Sequence, residues 1–135
     1  MRIFFIIILT FVLFLSGCSV LSSENGVTSP SQFVQLNEVF EAKTSISKGE
    51  TVALDLRTPK KSGYRLVGAS FDPEMLTLVN YLLYEDDERE RVQYVFEALA
   101  DGVSDVLIKM EPVEGGPTEI FKQVTIHVGE DDSFF

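Results

Sequence analysis

The chain has 135 residues, 45% of them hydrophobic, and a formal net charge of −10. That length suits one domain with a short appendage, and that acidity repels nucleic-acid phosphate, so no nucleic-acid partner is expected and a partner steered by charge should be basic. One cysteine excludes an internal disulfide framework, and one histidine beside it falls short of the three or four ligands of a zinc site, so neither metal nor cofactor is expected.

The first eighteen residues, MRIFFIIILTFVLFLSGC, open with Arg2 and continue as an apolar run over 3–15 that only Thr10 interrupts. Thirteen residues are short for a hydrocarbon core of ~30 Å, which takes about 20. The segment 1–17 therefore reads as a helical export signal rather than a spanning helix. Its removal takes away Arg2, its only charged residue, and moves the charge from −10 to −11. The small residues Ser16 and Gly17 precede Cys18. Leu15-Ser16-Gly17-Cys18 resembles the lipobox of bacterial lipoproteins. The resemblance implies cleavage between Gly17 and Cys18, a diacylglyceryl thioether on the Cys18 sulfur, and a further acyl chain, such as palmitate, on the freed α-amine. A single acyl chain holds a protein only marginally, at about 0.8 kcal/mol per buried CH₂, and two or three hold it stably. Ser19 stands where an Asp would signal inner-membrane retention. The expected location is the cell envelope: the outer membrane, on its periplasmic face, in a Gram-negative cell, or the outer face of the cell membrane in a Gram-positive one.

Residues 18–35 form the lipidated cysteine and an expected tether. The stretch SVLSSENGVTSPSQ is rich in Ser, Asn, Gly and Pro and has no apolar period. Its coil span is on the order of 20 Å.

The segment 36–129 carries strand signals at roughly ten-residue spacing. FVQLNEVF (33–40) alternates in part. TVALDLR (51–57) sets Val52, Leu54 and Leu56 against Thr51, Ala53, Asp55 and Arg57. TPKKSG (58–63) breaks the pattern, and YRLVGAS (64–70) resumes it. LTLVNYLLY (76–84) is strongly β-prone, and EDDERER (85–91) reads as a charged loop. VQYVFEALA (92–100) alternates Val92, Tyr94, Phe96 and Ala98, though a short helix also fits. Asp101-Gly102 is a turn signal. VSDVLIKME (103–111) places Val106, Ile108 and Met110 on one face. EIFKQVTIHV (119–128) sets Ile120, Lys122, Val124, Ile126 and Val128 together, with Lys122 expected to mark a strand end. The tail 130–135 should fray. These signals predict an all-β fold, a small antiparallel Ig-like sandwich of about seven strands.

No enzyme chemistry is legible. His127 has no nucleophile beside it in a triad pattern and falls on the outward side of a strand. EDDERERV lacks the spaced carboxylate frame of a calcium loop and is interrupted by Arg89 and Arg91. Lys60 and Lys61 are a basic spot in a loop of an acidic domain.

The order of breaks over 44–128 resembles the chagasin-type inhibitors of papain-like cysteine peptidases. In that family three loops at one end of an Ig-like sandwich plug the peptidase cleft. TPKKSGY keeps Pro59, Gly63 and Tyr64 of the first loop motif, with Lys60, Lys61 and Ser62 in place of two threonines. The second loop, glycine-rich in the family, is 85–91 here and has no glycine. In the third, Glu111, Pro112 and Val113 stand where the family has Arg-Pro-Trp. The resemblance makes these nine residues, Pro59 to Tyr64 and Glu111 to Val113, the candidate partner-binding positions. Two functions follow as expectations: a lipid-anchored module that binds another protein of the envelope, or a lipid-anchored inhibitor of a cysteine peptidase.

Overall fold

The structure is a computed structural model and describes residues 29–129. The signal segment, Cys18, most of the tether and the tail 130–135 lie outside the described residues. Eight strands form two four-stranded sheets. The first sheet has the order β1 (Gln32–Gln35), β3 (Thr51–Arg57), β6 (Arg89–Ala98), β5 (Leu76–Asp86). The second has β2 (Glu41–Ile46), β8 (Glu119–Val128), β7 (Gly102–Pro112), β4 (Tyr64–Ser70). Pairing is antiparallel except for β1 with β3 and β2 with β8. This is the sandwich expected from the alternation, with VQYVFEALA settled as strand through Ala98.

The core is the set of inward positions from both sheets. Val52, Leu54 and Leu56 of β3 pair in register with Phe96, Tyr94 and Val92 of β6, and all six are buried. Val106 and Ile108 of β7 and Val124, Ile126 and Val128 of β8 face them. Phe71 packs edge-on against Phe96, with centroids 5.0 Å apart. Every core residue named here lies within 29–129, so residues 19–135 carry the whole of this core.

Three expectations need correction. The stretch 33–40 is not one strand. The chain leaves the first sheet after Gln35 and enters the second at Glu41, and the described residues hold eight strands, in keeping with the about seven expected. The break is made by distant partners. Leu36 N–H donates to the Asp55 carbonyl at 2.9 Å, and the Asn37 side chain accepts from Arg57 N–H at 3.0 Å. Because β1 begins at Gln32, the sandwich starts inside the stretch assigned to the tether.

The charged segment 85–91 is not a loop. β5 runs to Asp86 and β6 starts at Arg89, so only Asp87 and Glu88 turn, both with positive φ (49° and 62°). Such a two-residue turn matches the strand twist, and alternate charges along a hairpin can face solvent. Arg91 does not face solvent. It is 8% exposed and pairs with Asp55, which is 1% exposed on the outward face of β3. Arg91 Nε donates to Asp55 Oδ1 at 3.0 Å, and the Tyr84 hydroxyl donates to Asp55 Oδ2. The Asp55 hydrogen bond holds the Arg91 pKa above its ordinary value, while burial raises that of Tyr84.

Lys122 lies within β8, not at its limit, next to a bulge at Phe121. Its stem is buried and its ammonium turns out of the core to the Val39 carbonyl at 2.6 Å.

Asp55→Ala should leave a buried, uncompensated Arg91 and destabilise the domain by roughly 3–5 kcal/mol. Asp55→Leu combined with Arg91→Met should recover most of that loss. Denaturant midpoints of the three proteins check both statements.

Candidate functional site: three connections at one end

Strands β3, β5 and β7 all run toward the same end of the sandwich, which gathers the three connections singled out in the sequence. The first is built by Pro59 and Gly63. Pro59 opens a single 3₁₀ turn, Pro59–Ser62, where its fixed φ suits the first helical position. Gly63 ends it in the left-handed conformation (φ 80°), donating its N–H to the Lys60 carbonyl at 3.2 Å. Pro59 is buried under this turn, whereas Lys60, Lys61, Ser62 and Gly63 are exposed. Pro59 therefore shapes the loop, and the next four residues are its outer surface.

This first connection clasps the other two. Thr58 N–H donates to the Glu90 carbonyl at 3.0 Å, and the Thr58 hydroxyl donates to Glu90 Oε1 at 3.1 Å. Lys60 Nζ lies 3.7 Å from the same carboxylate. On the other side, Val113 N–H donates to the Gly63 carbonyl at 3.0 Å. Tyr64 is in register with Pro112, and its hydrogen bond to Glu119 raises its pKa. The third connection, 113–118, turns through Gly115 and Gly116, both at positive φ. A β-carbon at Gly116 would lie 3.0 Å from Pro112 Cγ, a tight contact that the bare glycine avoids as the chain folds back over that proline.

The nine candidate positions divide. Lys60, Lys61, Ser62, Gly63 and Val113 are exposed at the end of the sandwich, with Val113 58% exposed. Glu111 lies inside β7, where Arg65 of β4 neutralises it through Nε at 2.7 Å. Pro112 and Tyr64 are half-buried partners. Sequence reasoning missed Thr58, Glu90 and Asn37, whose roles depend on partners 20 to 32 residues away. A groove of about 570 Å³ runs beside the first connection. Arg57, Lys60, Lys61, Arg89 and Lys122 line it, against Glu85, Glu88 and Glu90. The groove therefore mixes both signs, with five of the chain's eleven basic residues facing three carboxylates and Lys60 beside Glu90.

Lys122 Nζ sits 5.1 Å from the Phe121 ring centroid at the groove floor. Burial lowers its pKa from 10.5, and Glu38 only partly offsets this. A depressed folded value means that Lys122 stabilises the fold least at neutral pH and regains that stability as pH rises toward 10.5. The stability difference between the wild type and Lys122→Met should therefore shift in favour of the wild type as pH rises from 7 toward 10.5, as read from thermal midpoints across that range.

No protein-family model and no curated protein matches the chain. Solved structures do. EhICP2, a cysteine protease inhibitor from Entamoeba histolytica, is similar with a TM-score of 0.58 and 14% identity, covering 73% of this chain and 96% of that one. PbICP-C, solved in complex with falcipain-2, gives a TM-score of 0.52 and 17% identity, over 73% and 99% of the two chains. Amebosin gives 0.52 and 12%, over 74% and 99%. At these identities the likeness is one of fold, and the fold is the chagasin-like sandwich that the loop order suggested.

Proposed function

We propose that the domain binds and inhibits a papain-like cysteine peptidase through the three clasped connections, while a lipid on Cys18 holds it in the cell envelope. The observation that carries the first half is the convergence of 58–63, 87–88 and 113–118 at one end of a sandwich similar to EhICP2 and PbICP-C. A wedge of this kind acts by occupying a cleft and needs no catalytic group of its own. The hydrogen bonds from Thr58 and Val113 fix the three connections before any partner arrives, which lowers the ordering cost of binding.

The chemistry of the surface sets what such a partner meets. Aromatic and Arg anchors carry most of the energy in comparable interfaces, and here Val113 and the Arg65-paired Glu111 stand at those positions. Attraction then falls to Lys60 and Lys61, which favour an acidic rim on the partner's cleft.

Titration of residues 19–135 against papain tests the reading. Sub-micromolar inhibition that weakens at least ~10-fold in Lys60→Glu/Lys61→Glu supports it. Absence of inhibition at high micromolar concentration overturns it and leaves a module for another envelope protein.

The second half rests on Leu15-Ser16-Gly17-Cys18. Cys18→Ala removes the only sulfur that could take the diacylglyceryl group, so the protein should move from the membrane fraction to the soluble fraction. Unchanged partitioning would mean that the apolar segment itself is the anchor.

A further inference from the structure

One flank of the sandwich is nearly closed by β1 and β2, and the other lies open between the edge strands β4 and β5. Edge strands are usually blunted by lysine, proline or a bulge. β5 has neither residue, and its one bulge is at Val79, so residues 80–86 form a regular free edge. Its hydrophobic side chains are uncovered on both faces: Leu78, Val79, Tyr81, Leu82 and Leu83 are 39–52% exposed.

The phase of the free backbone groups follows from the turn. A two-residue hairpin makes Asp86 and Arg89 a hydrogen-bonded pair, and alternation extends this to Tyr84 with Arg91 and Leu82 with Gln93. Tyr81, Leu83 and Glu85 therefore turn their N–H and C=O groups outward. The Glu90 carbonyl agrees with that phase, because it points away from β5 to accept from Thr58. Inward from the same edge, Tyr81 and Leu83 line a cleft of about 330 Å³ whose apolar side is completed by Tyr64, Leu66 and Val113 and whose polar side is Thr58, Lys60, Arg65 and Glu90. An added strand would satisfy the outward groups and drop alternate side chains into this cleft, the two elements of strand-addition recognition.

We propose that residues 80–86 receive an added antiparallel strand from a partner polypeptide, apolar at alternate positions and basic at its N-terminal end. Antiparallel pairing is the more stable arrangement per residue, and it sets the N-terminal end of the incoming strand opposite Glu85 and Asp86. Charge decides the occupant. A second copy of this chain carries a net charge of −10, and its own β5 has no basic residue to answer Glu85 and Asp86. The proposal does not rest on the inhibitor reading.

The probe is a synthetic peptide, Lys-Lys-Val-Thr-Val-Thr-Val, added to residues 19–135, with amide exchange followed by NMR. Expected are saturable binding below about 500 µM and slowing of exchange at Tyr81, Leu83 and Glu85 by roughly 10-fold. A peptide with Glu-Glu in place of Lys-Lys should bind at least ~5-fold more weakly at low salt. Glu85→Lys/Asp86→Lys should invert that preference, and Leu83→Pro, which deletes an outward N–H, should abolish binding with the far-UV spectrum intact. Should Leu83→Pro fail to fold, the charge inversion decides. The proposal is overturned by no binding at millimolar peptide or by protection confined to 58–63. Protection of these three amides that grows with protein concentration alone would also overturn it, since a second copy would then be the occupant.

Discussion

Asp55 is the point at which the first sheet is held in register. Its carbonyl receives the chain as it leaves β1, and its carboxylate collects Arg91 from β6 and Tyr84 from β5. Strand side chains alternate with a period of two, so a one-residue slip of β6 would turn Arg91 into the core and strip Asp55 of its counter-charge. Burial of alternate residues already excludes a one-residue slip, and the ion pair adds a cost to any slip that parts Asp55 from Arg91. The register so held sets Thr58 beside Glu90, and with it the first connection against the hairpin turn. The geometry of the loops is thus inherited from a register that a pair buried on the outward face of the sheet helps to hold.

Much of the sandwich is legible because β6, β7 and β8 bury one face more deeply than the other. Alternation identified β3, β6, β7 and β8 and most of their inward residues, but the bulge at Phe121 reverses the start of β8, leaving Ile120 exposed and Phe121 against the core. Polar residues that act through distant partners were not legible. No Gly or Pro marks the bend at Asn37, because Arg57 makes it from 20 residues away. Arg91 resembled part of a solvated charge run because its acidic partner lies 36 residues upstream. Ala53 and Asp55 were assigned to the wet face correctly in direction, yet both are buried there. Side chains from neighbouring strands cover Asp55, and a single strand's sequence does not contain them. In the site the same division holds. Pro59 and Gly63 announce a turn by their backbone preferences, while the clasp through Thr58, Glu90 and Val113 appears only in three dimensions.

The two recognition surfaces are built on different physics. The loop end is a set of short, internally hydrogen-bonded turns with basic side chains at the rim, and it meets a partner by shape and charge. The flank along β5 offers unmet backbone groups beside a cleft that is part apolar and part charged, and it would meet a partner by extending the sheet. Val113 and Tyr64 border both surfaces, so an occupant of one would be felt at the other through a handful of shared side chains.

The parallel pairing of β1 with β3 has a consequence for orientation. Because β3 ends in Arg57, next to the first connection, β1 also climbs toward the loops and begins at the opposite pole. The chain therefore enters the sandwich at one pole and presents its clasped connections at the other, separated by the longest strands, about 36 Å at ~3.3 Å per residue. Whatever is joined ahead of Gln32 meets the domain a full strand length from the loops.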